Sequence, residues 1–237
     1  MKLDFRCWRC PEGTPGRRVT APFNDSGFYR FQCAENHVHE IVLVQMRFEV
    51  LAETAMQAIV DGYYRDAVAS FAAALERFYQ FYIEVVAHSK GVTSAVQAAT
   101  WKDVARQSER QLGMYIGVYQ LENGDVPPLL DQDHVKFRNQ VIHQGYLPTE
   151  EEAIDFAQAV VDLIQPLINA IMPRYITDIE ALTNVHTAAA SAKSESPGRK
   201  HLVYFEFILR FDTEADDWEV PPADVRTELI ARRGRQL

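Results

Sequence analysis

The pattern of apolar and polar positions changes character twice along the chain. Residues 1–44 are broken by Pro11, Gly13, Pro15, Gly16 and Pro22. Between these breaks lie short runs rich in aromatic and β-branched residues, Phe28 to Cys33 and Val38 to Val44, which predict strands and turns. From about Gln45 the period lengthens. Phe48, Leu51, Ala55 and Ile59 recur at helical spacing, and Gly62 interrupts them. A second helix is predicted from about 64 to 87, with a stripe of Val68, Phe71, Leu75, Phe78, Tyr82 and Val85. Five aromatics between Phe71 and Tyr82 suit a helix–helix core.

A third helix is predicted from a cap at Thr93 or Ser94 to about Tyr119, followed by a loop over 121–130. Asp131 or Asp133 opens a fourth helix that Gly145 ends. Pro148-Thr149 followed by Glu150, Glu151 and Glu152 is a helix start, because the Thr149 hydroxyl can cap and the acids suit the positive end of the helix dipole. Ile154, Ala157, Val161, Ile164 and Ile168 line that helix, which continues or bends at Pro166 and Pro173. Residues 188–200 are small and Ser-rich and read as a linker. Val203, Phe205, Phe207, Leu209 and Phe211 then alternate as in a strand, and a peripheral tail follows. The expected organisation is an N-terminal β module over 1–44, a helical domain over 45–190, and a linker, strand and tail over 191–237. The fold class is mainly α.

The 237 residues carry 33 acids and 24 Lys and Arg, a net charge of −9. That excludes a protein that coats nucleic acid through bulk positive charge, but not a local site that handles RNA. No apolar run reaches the roughly 18 residues that span a bilayer. The opening MKLDFRCWRC has charges where a signal peptide is apolar. The expectation is a cytoplasmic protein with no membrane partner.

All three cysteines fall within the first 33 residues. Cys7-x-x-Cys10 puts two thiolates on one turn, Cys33 supplies a third, and His37 follows four residues later, with His39 the alternate. Three Cys and one His suit a closed tetrahedral site, so structural Zn2+ is expected. The arrangement resembles a zinc ribbon, with Asn36 where the second knuckle often carries glycine. Asn is the next-best residue for a left-handed backbone position.

Residues 134–145 read HVKFRNQVIHQG. Asn139 and His143 are four apart and share a helix face. Arg138 lies five residues before His143, about 140° around an ideal helix, and reaches the same spot only by its length or by distortion. His143 near the helix C-terminus is placed to hold or release a proton. The planar arginine fork matches phosphate oxygens.

This Arg-Asn-x-x-x-His run, closing a helix before a final amphipathic helix, resembles the HEPN superfamily, as does the helical pattern over 46–190. The resemblance covers about three-fifths of the chain. It implies an antiparallel helical bundle and a metal-independent endoribonuclease that acts as a homodimer, with the two motifs facing across the two-fold axis. It also implies a role as a toxin or anti-phage defence effector, with an antitoxin or defence partner protein. By carry-over His143 is the acid or base, Arg138 binds the scissile phosphate, and Asn139 orients them. Glu76 is the supporting acid, with Arg138 its apt partner and Arg77 or Gln80 the alternatives. Two other readings compete. One is a non-catalytic dimeric interaction protein whose ribbon binds a partner or nucleic acid. The other is a zinc-dependent regulator that contacts DNA. Lys102, Arg106 and Arg110 recur every four residues as a basic stripe, and Trp101, Phe137 and Tyr146 are possible stacking platforms, although solvated and packing roles fit both sets better.

Overall fold

The computed structural model describes residues 2–195, 200–211 and 220–234. The protein is mainly helical, with a small N-terminal β region. It divides into two compact units, residues 1–45 with 180–205, and residues 46–179 with 206–237.

The first unit is built on short strands. β1 (Lys2–Arg6) pairs antiparallel with β2 (Arg18–Pro22), with Arg6 opposite Arg18. β3 (Phe28–Gln32) pairs antiparallel with β4 (Val38–Leu43), with Gln32 opposite Val38. Alternation decides which side chains turn inward. Leu3 and Phe5 on β1, Tyr29 and Phe31 on β3, and His39 and Ile41 on β4 are buried. Phe5 stacks on Phe31 with ring centroids 5.3 Å apart.

The second unit is a helical bundle. α1 (Arg47–Val60) and α2 (Tyr64–Ser89) form a hairpin about a three-residue turn, where Gly62 takes φ 80°. α3 (Ser94–Val104), α4 (Ser108–Asn123), α5 (Gln132–His143) and α6 (Glu150–Ser191) follow, with α6 from Glu180 onward belonging to the first unit. Side-chain contacts tie these helices together. Phe48 early in α1 meets Phe78 and Phe81 late in α2. Arg77 of α2 reaches both Trp101 late in α3 and Gln111 early in α4. His134 and Phe137 of α5 meet Asp155 and Phe156 of α6. The α2 stripe named from the sequence is buried throughout, as are Phe48, Ala55 and Ile59 of α1, while Leu51 is half-buried. α7 (Val225–Gly234) closes the unit against α1, with Arg232 bonding to Glu53.

The observed elements differ from the sequence pattern in three places. The helix expected from 93 or 94 to 119 is two helices broken at Ala105–Gln107. α3 buries no residue, so little packing holds it in line with α4. Arg110 donates from Nη1 to the Asp103 carbonyl at 3.1 Å and so ties the break. The Lys102, Arg106 and Arg110 stripe is therefore not one helical face, because Arg106 lies in the break. The linker expected from 188 is helical to Ser191, and residues 196–199 lie outside the described part.

The strand expected over 201–211 is only β5 (His201–Val203), parallel to β4 with Ile41 opposite His201. β4 ends at Leu43, so the ladder has no further partner to offer. Val44 N–H donating to the Val203 carbonyl and Gln45 Nε2 donating to the Phe205 carbonyl finish it. From Glu206 the chain belongs to the second unit. There Phe207, Ile208 and Leu209 are buried consecutively rather than alternately.

α6 runs through both prolines and breaks at Tyr175 (φ −128°, ψ 23°), two residues after Pro173. Pro173 has no N–H for the carbonyl one turn back. Among the described helices, α6 alone is long and apolar enough to cross a membrane by length and composition, and 56% of its apolar window is buried in the protein.

Candidate functional site

Two constellations hold the residues singled out in the sequence, although among the described residues no bond joins His143 to Arg138, Asn139 or Glu76. The first lies in the N-terminal unit. Cys7 and Cys10 sit on the turn after β1, and Cys33 and His37 on the turn between β3 and β4. Asn36 adopts φ 60°, the one positive value at a non-glycine residue among those described, so it does occupy the left-handed position. The Cys33 N–H donates to the His37 carbonyl at 3.1 Å and closes the turn.

The long loop between Cys10 and Cys33 folds back onto this turn. The Ala34 N–H donates to the Gly16 carbonyl, and a Cβ on Gly16 would lie 2.4 Å from that of Ala34, so only glycine fits. Arg17 Nε donates to the Cys7 carbonyl at 3.0 Å.

The three sulfurs and one ring nitrogen all lie within 4.8 Å of one another. His37 Nδ1 is 3.6, 3.4 and 3.6 Å from the Sγ atoms of Cys7, Cys10 and Cys33, and the Cys10 and Cys33 sulfurs are 3.7 Å apart. A tetrahedral ion held at about 2.3 Å by sulfur and about 2.0 Å by nitrogen requires edges of about 3.5 Å to nitrogen and about 3.8 Å between sulfurs. The cluster is therefore compatible with a metal site. Burial, and then the neighbouring sulfurs of Cys7 and Cys33, push the Cys10 thiol up to about 12. A cation among the sulfurs reverses that preference, because it binds thiolates and releases their protons.

Between the two histidines, His37 joins the cluster. His39 is buried and sets its Nε2 3.0 Å from Cys7 Sγ, behind the ligand set. Its ring packs on Phe31 and Trp8.

The second constellation lies in the helical unit. Asp131 caps α5 by accepting from the N–H groups of Asp133 and His134, both at 3.0 Å. Arg138, midway along α5, reaches α2. Its Nη2 donates to Glu76 Oε1 at 2.7 Å, and its Nη1 to Asn139 Oδ1 at 3.0 Å. The side chains of Arg138 and Glu76 keep 23% and 29% of their surface in solvent. So Glu76 pairs with Arg138, while Arg77 bonds to Gln80 and Gln111 instead. Asp131 and Asp133 are taken by His134 and Lys136, which removes them as partners for Arg138. His143 lies in the last turn of α5 and is exposed. The carbonyl of Gln140 accepts from both Gln144 and Tyr146, and Gly145 at φ 75° makes that reversal possible.

Of the three possible stacking platforms, Trp101 and Phe137 are half-buried and Tyr146 is exposed. Trp101 lies under the Arg77 guanidinium, and Phe137 meets Tyr146 and Phe156.

Sequence reading missed one cluster beside this site. His134 bridges Asp131, at 2.5 Å from Nδ1, and Asp155 on α6, at 3.1 Å from Nε2. Burial alone lowers its pKa, but the bonds to the two carboxylates outweigh burial and raise it. The i, i+3 spacing of Asp131 and His134 was visible, whereas Asp155 arrives only through the packing of α6.

No family model matches the chain, and neither a curated protein nor a solved structure matches it.

Proposed function

We propose that the chain is a metal-independent endoribonuclease of HEPN-like fold that acts as a homodimer, with a structural zinc ribbon at its N-terminus. The observation that supports this most is the Glu76–Arg138–Asn139 network across α2 and α5, with His143 exposed at the end of the same helix. Glu76 and Asn139 hold the guanidinium in one orientation, where it can meet a phosphate and stabilise the charge that builds on it. His143 takes the proton of the ribose 2′-hydroxyl. The 2′-oxygen bonds to phosphorus and the bond to the 5′-oxygen breaks. The 5′-oxygen receives a proton from the His143 of a second copy. The products are a 2′,3′-cyclic phosphate and a 5′-hydroxyl, and no metal takes part. Cys7, Cys10, Cys33 and His37 would hold zinc with every position filled, so the ion supplies a structural clamp and no chemistry. A cytoplasmic toxin or anti-phage role, with an antitoxin or defence partner, follows from the HEPN resemblance alone.

The test is cleavage of a mixed RNA pool without added divalent ions, with product ends mapped. The expected result is cyclic phosphate ends from the wild type and none from His143→Ala or Arg138→Ala. Equal cleavage by wild type and His143→Ala refutes the proposal.

A second reading has its own support. Arg138 is already engaged by an acid and an amide, as in a structural ion pair. A non-catalytic dimeric interaction protein would then show no cleavage by any variant, with Arg138→Ala destabilised.

A further inference from the structure

The first turn of the Cys–His cluster reads Arg6-Cys7-Trp8-Arg9-Cys10. Its cysteines are buried, and the residues beside them face outward. Arg6 and Arg9 are exposed, and Trp8 is 44% exposed. Trp8 packs against His39 and His201, at 4.0 and 4.3 Å between ring centroids, so its ring is held in place.

The strand register sets Arg18 directly opposite Arg6, with both side chains exposed. Like charges in that position destabilise a ladder. The one acid among the exposed residues of β1 and β2 is Asp4, and it accepts from Thr20 Oγ1 at 2.6 Å. Among the described residues no acid pairs with Arg6, Arg9 or Arg18.

The whole-chain acidity hides this. Residues 1–45 and 180–205 carry nine Lys and Arg against seven acids, a net charge of +2. The rest of the chain carries 15 against 26, a net charge of −11. Arg17, Arg30 and Lys200 of this unit pair with Glu12 and Glu40, whereas the Arg6, Arg9 and Arg18 edge does not, at a cost to its own sheet.

We infer that this edge of the N-terminal unit binds single-stranded RNA, with Arg6, Arg9 and Arg18 on backbone phosphates and Trp8 stacked on a base. The choice of RNA rests on the nuclease reading. The choice of single strands rests on Trp8, since one exposed ring on a charged edge stacks on an unpaired base and finds none in a duplex. Guanidinium groups without acid partners are free to take phosphate oxygens in pairs.

The experiment uses the full chain carrying His143→Ala, so that the probe stays intact, and reads fluorescence anisotropy of a labelled single-stranded RNA across a salt series. Adding Arg6→Gln and Arg18→Gln is expected to weaken binding about tenfold at low salt. It should also reduce the log–log salt slope by about 1.4, since each lost phosphate contact on a single strand removes about 0.7. The same pair should melt no lower than its parent, because a repulsion has been removed. Trp8→Ala is expected to weaken binding about five- to a hundredfold with the slope unchanged, and Trp8→Phe to recover part of the loss. An unchanged slope and affinity in the double-arginine variant overturn the inference. So does tighter binding to phosphatidylserine vesicles or to duplex DNA than to the RNA. If the wild type cuts no RNA but the arginine-dependent slope is present, the nuclease reading falls and this binding surface stands.

Discussion

Removing Glu76 or Arg138 perturbs fold and site together, whereas removing His143 perturbs the site alone. The ion pair spans 2.7 Å between α2 and α5, and its side chains are about three-quarters buried. Exposed pairs contribute about 0.2–1 kcal/mol, and breaking a fully buried one costs about 3–5 kcal/mol. This pair lies between those limits. Each of Glu76→Ala and Arg138→Ala should cost about 2 kcal/mol, since each leaves the other charge in a half-buried position without its partner. The double variant should cost less than the sum, with a coupling of about 1.5 kcal/mol. His143 is exposed, so His143→Ala should stay within about 0.5 kcal/mol of wild type. Urea unfolding at pH 7, followed by circular dichroism, measures all four variants, and RNA cleavage is read on the same preparations. The expected signature is Arg138→Ala both unstable and inactive, with His143→Ala stable and inactive. A coupling below about 0.5 kcal/mol would refute the claim that Glu76 holds Arg138. A loss above about 1 kcal/mol in His143→Ala would show that the histidine is part of the packing.

Three further predictions follow from the geometry. One zinc per chain should be measured by plasma mass spectrometry, with an X-ray absorption edge fitted by three sulfurs and one nitrogen. His37→Ala should lose the metal and His39→Ala keep it, and the reverse pattern would exchange their roles. The raised pKa of His134 means that its contribution to stability is complete below its ordinary 6.5 and is lost as pH rises through the folded value. The stability gap between wild type and His134→Gln should therefore be widest near pH 5.5 and close on the alkaline side, and a gap that widens with pH would be fatal to this assignment. Finally, a Cβ on Gly113 or Gly117 of α4 would meet no atom within 4 Å. Alanine at each should raise stability by about 1 kcal/mol and lift the melting temperature by a few degrees. A failure to stabilise, with a changed mass by light scattering, would mean that another chain rather than solvent faces α4.

Much of the architecture was legible in the sequence because it is encoded locally. Helical spacing marked α1, α2 and α6, an Asp cap and Gly145 marked α5, the Asn36 conformation followed from its chemistry, and short Cys-to-His spacing marked the Cys–His cluster. The Glu76–Arg138 pair was legible for a different reason: a charged residue in an apolar helix stripe needs a partner, and the motif arginine was a suitable one. Most of what distant neighbours set was not legible. The alternation over 203–211 predicts a strand, but a strand needs a ladder, and β4 offers one only as far as Leu43. The choice of His37 over His39 turned on which ring the β3–β4 turn swings toward the sulfurs. The Asp155–His134 bond and the facing of Arg6 with Arg18 join residues 21 and 12 apart. Local pattern fixes the period and the caps of an element, because those depend on residues within a turn or two. Which charges meet, and which are left without partners, is decided by packing, because only the folded chain brings separate elements within reach of each other.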